Sequence, residues 1–176
     1  MRKSAVIEIL ARRLRILPSR IHHIADRLGD ADIVSKTSGS KRFPPDLSEP
    51  EISALVIGVI ADAGLGNSVR TVATFSSLPS SVGTFGSVLQ TMLFGPHPDM
   101  GHLIIRNEPA GISTTIHGSH IVFGAEASEK AATKARIIPG DALIAIAAEL
   151  QGHSVQSADA VVELIKIQRA TNVCAR

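Results

Sequence analysis

The spacing of apolar residues changes near the middle of the chain. Before Gly95, apolar residues recur at helical spacing, as in Val6, Ile9 and Leu10, a pattern typical of amphipathic helices. After that glycine they fall in short β-rich runs such as residues 103–105, which indicate strands. The sequence therefore predicts an α+β fold, with a helical N-terminal half and a C-terminal half made of a short antiparallel sheet and packing helices.

Local signals set the expected boundaries of these elements. Ser48 and Glu51 have the spacing of a capping box, and Pro18 suits the first turn of a helix. Helices are predicted over residues 4–15, 18–29, 49–64, 68–76, 82–94, 140–150 and 157–169, and strands over residues 103–105, 112–116, 121–123 and 135–138. Gly118-Ser119 is expected to form a two-residue hairpin turn.

The serine-rich stretch from Ser76 to Ser81 is the expected linker between two units. The first unit, residues 1–76, includes a predicted basic β-hairpin over residues 33–47 that turns at Ser38-Gly39-Ser40. The second unit, residues 82–176, is predicted to be an α+β domain that serves oligomerisation or partner binding.

Positive charge is concentrated at the start of the chain. The net charge of the 176 residues is +2, but residues 1–45 hold ten Lys or Arg against four Asp or Glu, which gives this segment a charge of +6. A basic segment attached to a neutral body indicates a polyanion-binding module. The chain has no Trp or Tyr, so the aromatic stacking typical of single-strand binding is disfavoured, and duplex DNA is the expected polyanion.

Residues 10–24 resemble the helix-turn-helix of bacterial and phage DNA-binding proteins, with the downstream hairpin in the place of a wing. A small residue, Ala11, lies where that motif needs close helix approach, and Pro18-Ser19 opens the second helix. The turn has Arg15 where the motif commonly has a glycine in the left-handed conformation. The resemblance implies that residues 18–28 form a recognition helix that lies in the major groove.

This arrangement predicts two groups of DNA contacts. The polar face of the second helix would read bases, and the remaining cations would bind phosphates without sequence choice. The predicted recognition contacts are Ser19, Arg20, His22, His23 and Arg27, and the predicted phosphate contacts are Arg12, Arg13, Lys36, Lys41 and Arg42. Asp26 also points outward on this helix, where it could accept a bond from cytosine or orient a neighbouring arginine.

The leading hypothesis is a non-enzymatic protein that binds double-stranded DNA, with transcriptional regulation by a dimer as its expected use. The order of elements also resembles the small terminase subunits of tailed phages, which form rings and bind viral DNA during packaging. A third possibility is a virion structural or protein-interaction module whose basic end is only surface.

The sequence offers little that would support catalysis or cofactor binding. The single cysteine, Cys174, excludes a disulfide within the chain, and His117 and His120 lack the spacing of a metal motif. We therefore expect no cofactor and no metal. No apolar run is long enough to span a membrane and the basic start is unlike a signal peptide, so a cytoplasmic location is expected.

Overall fold

A computed structural model describes residues 1–36, 46–96, 99–127 and 132–174. Within these residues the chain is mixed α and β. A short 3-10 helix, Leu65–Asn67, accompanies seven α-helices: α1 (Lys3–Leu14), α2 (Pro18–Asp30), α3 (Glu49–Ile60), α4 (Ser68–Ser76), α5 (Phe85–Phe94), α6 (Gly140–Leu150) and α7 (Val155–Cys174). The predicted α+β class is confirmed at this level.

The strands of the described residues form two antiparallel sheets. A two-stranded hairpin is formed by β1 (Pro79–Ser80) and β2 (Gly83–Thr84), and a four-stranded sheet by β3 (Leu103–Asn107), β4 (Ala110–Ile116), β5 (Ser119–Gly124) and β6 (Ala135–Ile138). The larger sheet has the order β5-β4-β3-β6, so the chain crosses from one edge of the sheet to the other between β5 and β6.

One face of the larger sheet and six of the helices contribute to a continuous apolar core. Leu10 of α1, Ile24 of α2 and Leu55 of α3 are buried in it together with Phe123 of β5 and Ile146 of α6. The core therefore contains side chains from both predicted units, and the division at residues 76–82 stays a prediction.

The predicted capping box at the start of α3 is confirmed. Ser48 accepts from the backbone of Glu51, and the Glu51 carboxylate accepts from the Ser48 backbone N–H at 2.7 Å. This exchange pairs polar groups that the first turn of a helix otherwise leaves without partners. α3 begins where the sequence predicts, but it ends at Ile60 instead of Gly64.

Other predicted boundaries also differ from the structure by one to a few residues, and backbone conformation explains two of them. α5 begins at Phe85 instead of residue 82, because Gly83 has φ 122° and Thr84 caps the helix by accepting from the Ser87 N–H. The turn between β4 and β5 is His117-Gly118 instead of Gly118-Ser119, since these two residues have φ values of 49° and 78°. Positive φ at both central residues is what a type I′ hairpin turn requires.

The predicted basic hairpin over residues 33–47 is only partly within the described residues. Ile33 to Lys36 form a bend and an irregular segment instead of a strand. Residues 37–45, which include the predicted turn and the predicted contacts Lys41 and Arg42, lie outside the described residues. The wing therefore stays a prediction.

Candidate nucleic-acid interface

A tight turn joins α1 to α2. Arg15 follows α1 in the left-handed conformation, with φ 53° and ψ 41°, which is the conformation that the motif assigns to its turn glycine. The N–H groups of Arg15 and Ile16 both donate to the Ala11 carbonyl, Ile16 at 3.2 Å. Leu17 then precedes α2, and its carbonyl accepts from the Arg20 N–H at 2.9 Å. Only residues 15–17 therefore separate the two helices.

The apolar side of α2 is fixed against α3 and α4. Ile21, Ile24 and Leu28 are buried. A Cβ placed on Gly58 of α3 would lie 3.2 Å from Ile24 Cγ2, 3.4 Å from Leu28 Cδ1 and 3.4 Å from Val72 Cγ2. The glycine therefore allows α2 to approach α3 more closely than a larger residue would permit.

The opposite side of α2 is exposed and polar. Four of the predicted recognition residues, Ser19, His22, His23 and Arg27, are exposed on it. Within the described residues none of these four side chains forms an ion pair. Asp26 lies on the same side and pairs with Lys3 Nζ of α1 at 3.5 Å, so its negative charge is partly compensated inside the protein.

The fifth predicted recognition residue, Arg20, is held by an acid that lies outside α1 and α2. Its Nε and Nη2 each donate to the Asp62 carboxylate at 2.9 Å, in the two-bond geometry that arginine forms with carboxylates. Asp62 follows α3 and also accepts from the Gly64 N–H at 2.9 Å. Arg20 therefore anchors the start of α2 to the end of α3.

Two predicted phosphate contacts, Arg12 and Arg13, bind a buried glutamate instead of facing solvent freely. Glu149 of α6 has only 4 % of its side chain exposed and accepts from both arginines, from Arg13 Nε at 2.5 Å. Arg13 also binds Asp159 of α7 at 2.5 Å. Burial lowers the pKa of Arg13, but hydrogen bonds and attraction from Glu149 and Asp159 outweigh it and raise the pKa. Arg12 and Arg13 therefore connect α1 to α6, and Arg13 also connects α1 to α7.

The remaining predicted cation in the described residues, Lys36, pairs with Asp30 at the end of α2. The Lys36 Nζ lies 3.6 Å from the carboxylate, and both side chains are exposed. An exposed pair of this kind is weak, so Lys36 remains accessible to other anions.

The predicted contacts thus separate into three groups. Ser19, His22, His23 and Arg27 are exposed, whereas Arg12, Arg13, Arg20 and Lys36 carry ion pairs, and Lys41 and Arg42 lie outside the described residues. Sequence reasoning missed the acids Asp62 and Glu149. Glu149 carried a usable signal, because it stands alone among apolar residues in the second half of α6, and a buried carboxylate needs a charged partner.

The segment that leaves α2 is fixed to α3 by Glu51. One oxygen of this carboxylate accepts from the Ser35 N–H at 2.6 Å and from the Ser35 hydroxyl at 2.5 Å, while the other oxygen caps α3. Burial raises the pKa of Glu51, but the hydrogen bonds from Ser35 and Ser48 outweigh it and lower the pKa to about 2. The carboxylate therefore ties the base of the predicted wing to the helix behind α2.

The described residues contain neither a metal site nor a membrane-spanning helix. No group of three or more His, Cys, Asp or Glu side chains in them is arranged to hold a metal ion. No helix in the same residues combines the length and the apolar character that crossing a bilayer requires.

Comparison of this chain with protein-family models, with curated proteins and with solved structures finds no match.

Proposed function

We propose that the chain is a non-enzymatic protein that binds double-stranded DNA, with α2 as its recognition helix. The observation that carries this proposal is the exposed face of α2, from which Ser19, His22, His23 and Arg27 project into solvent. Hydrogen-bonding side chains on the exposed face of a short helix suit the major groove, which admits an α-helix and displays base edges.

The left-handed turn at Arg15 supports the same proposal, since only residues 15–17 separate α1 from α2. Arg15 is itself exposed beside the start of α2. With Arg12, Arg13 and Arg20 bound to carboxylates, the exposed cations without an ion pair in the described part of residues 1–45 are Arg2, Arg15 and Arg27, and Lys36 has only a weak one. Lys41 and Arg42 stay predicted phosphate contacts. Four or five phosphate contacts give a slope of about −4 for log affinity against log salt.

The test is a fluorescence anisotropy titration of labelled random-sequence duplexes at low salt. We expect the double variant His23→Glu and Arg27→Glu to lose most of the affinity while keeping the wild-type unfolding midpoint. Lys134→Glu, which reverses an exposed cation next to β6, is the control and should bind normally. Normal binding by the double variant would refute α2 as the recognition helix.

The proposed use is transcriptional regulation by a dimer in a bacterial or phage-infected cytoplasm. Symmetric dimers place two recognition helices about one turn of DNA apart. A DNA-packaging subunit of the small terminase type is the alternative, and it would assemble as a ring. Light scattering of the purified protein with and without a duplex distinguishes a dimer from a ring of about eight or more copies.

A protein-interaction module without DNA affinity is a second candidate. The pairing of Arg12 and Arg13 with Glu149, and of Arg20 with Asp62, favours it, because these cations stabilise contacts within the chain. Absence of binding to any duplex at low salt would leave this candidate alone.

A further inference from the structure

One side of α7 packs against α6. Ala158, Val162 and Ile165 are buried, and the last two form a small apolar cluster with Ile144 and Ala145 of α6. The three residues of α7 recur at intervals of four and three positions, which places them on one side of the helix. The opposite side of α7 takes no part in this cluster.

That opposite side carries a second apolar stripe, which is exposed. The stripe is formed by Ala160, Leu164, Ile167 and Thr171. Leu164 is 60 % exposed and Ile167 is 59 % exposed. The Thr171 hydroxyl donates to the carbonyls of Ile167 at 3.2 Å and Gln168 at 2.9 Å, so it needs no partner outside its own helix. Intervals of four, three and four positions are the spacing of the seam between two paired helices.

Charged residues border this stripe on one flank only. Glu163 and Lys166 are exposed on that flank and pair at 2.8 Å, and Lys166 Nζ also lies 3.4 Å from the Asp141 carboxylate. Ser157 and Gln168, which border the stripe on the other flank, carry no charge. A partner that fits the stripe must therefore present an apolar row with an acid and a base along one edge, in the reverse order.

We propose that a second copy of this chain covers the stripe, with the two α7 helices antiparallel. A two-fold axis can place Leu164 of each copy opposite Ile167 of the other, so that one patch is complementary to itself. In the same register Glu163 of one copy lies two positions from the level of Lys166 of the other, about 3 Å along the helix. A two-fold axis perpendicular to the helices brings like flanks together, so each acid meets a base.

A parallel pair would lack this charge complementarity. Its two-fold axis runs along the helices and brings the charged flank of one copy to the uncharged flank of the other, so Glu163 would face Gln168. The charges on the flank therefore favour the antiparallel arrangement.

The size of the stripe sets the expected strength of the pair. Residues 160–171 cover about 17 Å of helix, whereas stable interfaces bury about 800 Å² on each partner. We therefore expect a weak dimer with a Kd between about 1 and 100 µM. The pairing names a surface for the dimer of the proposed function, but it does not require DNA.

The test is sedimentation equilibrium of the full chain without DNA, from about 1 to 500 µM. The wild type should pass from monomer to dimer. The double variant Leu164→Gln and Ile167→Gln should raise the Kd at least about tenfold while keeping the wild-type unfolding midpoint. Val82→Gln with Ile137→Gln is the matched control, since these side chains are 55 % and 59 % exposed elsewhere on the fold, and it should dimerise normally.

Two charge variants test the orientation. Glu163→Lys leaves two bases on the flank and Lys166→Glu leaves two acids, so each variant alone should dimerise more weakly than the wild type. An equimolar mixture should form a mixed dimer at least severalfold more tightly than either variant pairs with itself, and high salt should reduce this preference.

Three results would overturn the proposal. They are a wild type that stays monomeric throughout this concentration range, a Leu164 and Ile167 double variant that dimerises as tightly as the wild type, and a charge mixture that shows no preference for the mixed dimer. None of these measurements contains DNA, so their failure is distinct from a failure of the proposed DNA binding, which the anisotropy titration tests.

Discussion

Arg20 in the first turn of α2 and Asp62 just after α3 form two parallel hydrogen bonds of 2.9 Å across 42 positions of the sequence. Asp62 has 15 % of its side chain exposed and Arg20 has 35 %. The pair is therefore partly exposed at the edge of the proposed interface, where the Arg20 guanidinium can bind either Asp62 or DNA.

We expect Asp62→Asn to lower the free energy of unfolding by roughly 1 kcal/mol, because it removes a charge-assisted, two-bond contact at a partly exposed site. The same change frees Arg20 and should raise the affinity for duplex DNA severalfold. Urea unfolding and anisotropy titrations measure the two effects. Arg20→Gln is the matched variant, with a similar loss of stability but no gain in affinity. Unchanged or lower DNA affinity in Asp62→Asn would contradict the prediction that a freed Arg20 contacts DNA.

Glu149→Gln should destabilise the chain by about 2 kcal/mol, because Arg12 and Arg13 lose the buried carboxylate between them. The cost stays below that of a fully buried pair, since Arg12 can still reach water. Asp159→Asn removes the exposed partner of Arg13 and should cost less than about 1 kcal/mol. Urea unfolding at neutral pH compares the two, and equal losses would show that the burial of Glu149 is unimportant.

Glu51 predicts a specific dependence of stability on pH. Its pKa is lowered from 4.5 to about 2 in the folded chain, so its contribution is fully present above pH 4.5 and is lost as the pH falls toward 2. We expect Glu51→Gln to cost roughly 2 kcal/mol at about pH 7. The difference between wild type and variant should shrink progressively below pH 4.5 in urea unfolding. A difference that stays constant down to about pH 2.5 would be inconsistent with the ionised cap.

The left-handed conformation of Arg15 predicts that glycine at this position would stabilise the fold. The left-handed conformation costs a residue with a Cβ about 1 kcal/mol or more, although glycine offsets part of this gain through the entropy of the unfolded chain. Arg15→Gly should therefore raise the free energy of unfolding by up to about 1 kcal/mol. Arg15→Val should lower it by more than that, because β-branched residues avoid this conformation. Thermal unfolding of both variants checks the sign of each change.

The close packing around Gly58 predicts that a side chain larger than that of alanine at this position would destabilise the contact between α2 and α3. A valine side chain would overlap Ile24, Leu28 and Val72, whose nearest atoms lie only 3.2 to 3.4 Å from where a Cβ would stand, and overpacking of this kind costs about 1–3 kcal/mol. Gly58→Ala should be close to neutral, because its helix propensity offsets the tight contact. If Gly58→Val unfolds at the same urea concentration as the wild type, α2 does not approach α3 this closely.

Local structure could be predicted where a few neighbouring residues decide it. The capping box at Ser48 and Glu51, the start of α2 at Pro18 and the helix over residues 68–76 were all predicted correctly. The hairpin turn after β4 is displaced by one residue from the predicted one, because His117 adopts a positive φ, which is uncommon for residues other than glycine. Periodicity locates a strand, but the backbone conformation of the turn sets the register.

At the candidate site, too, the features set by neighbouring residues could be predicted and the long-range contacts could not. The helical period indicated that Ser19, His22, His23 and Arg27 share an outward face, and these residues are exposed. It could not show that Arg12 and Arg13 meet Glu149, because that contact joins positions that are 137 and 136 residues apart. Counting cations gives the net charge of a segment, but it does not show which of them form ion pairs within the fold.

The sequence by itself determined the helical start, the β-rich second half and the polar face of α2, because each depends on the spacing of residues along a short stretch. Only the tertiary structure decided that Arg20 binds Asp62, that Glu149 holds α1 and that β6 joins β3 at the edge of the sheet. Those contacts depend on how distant segments meet once the common core forms, and residue spacing along the chain does not encode that geometry directly.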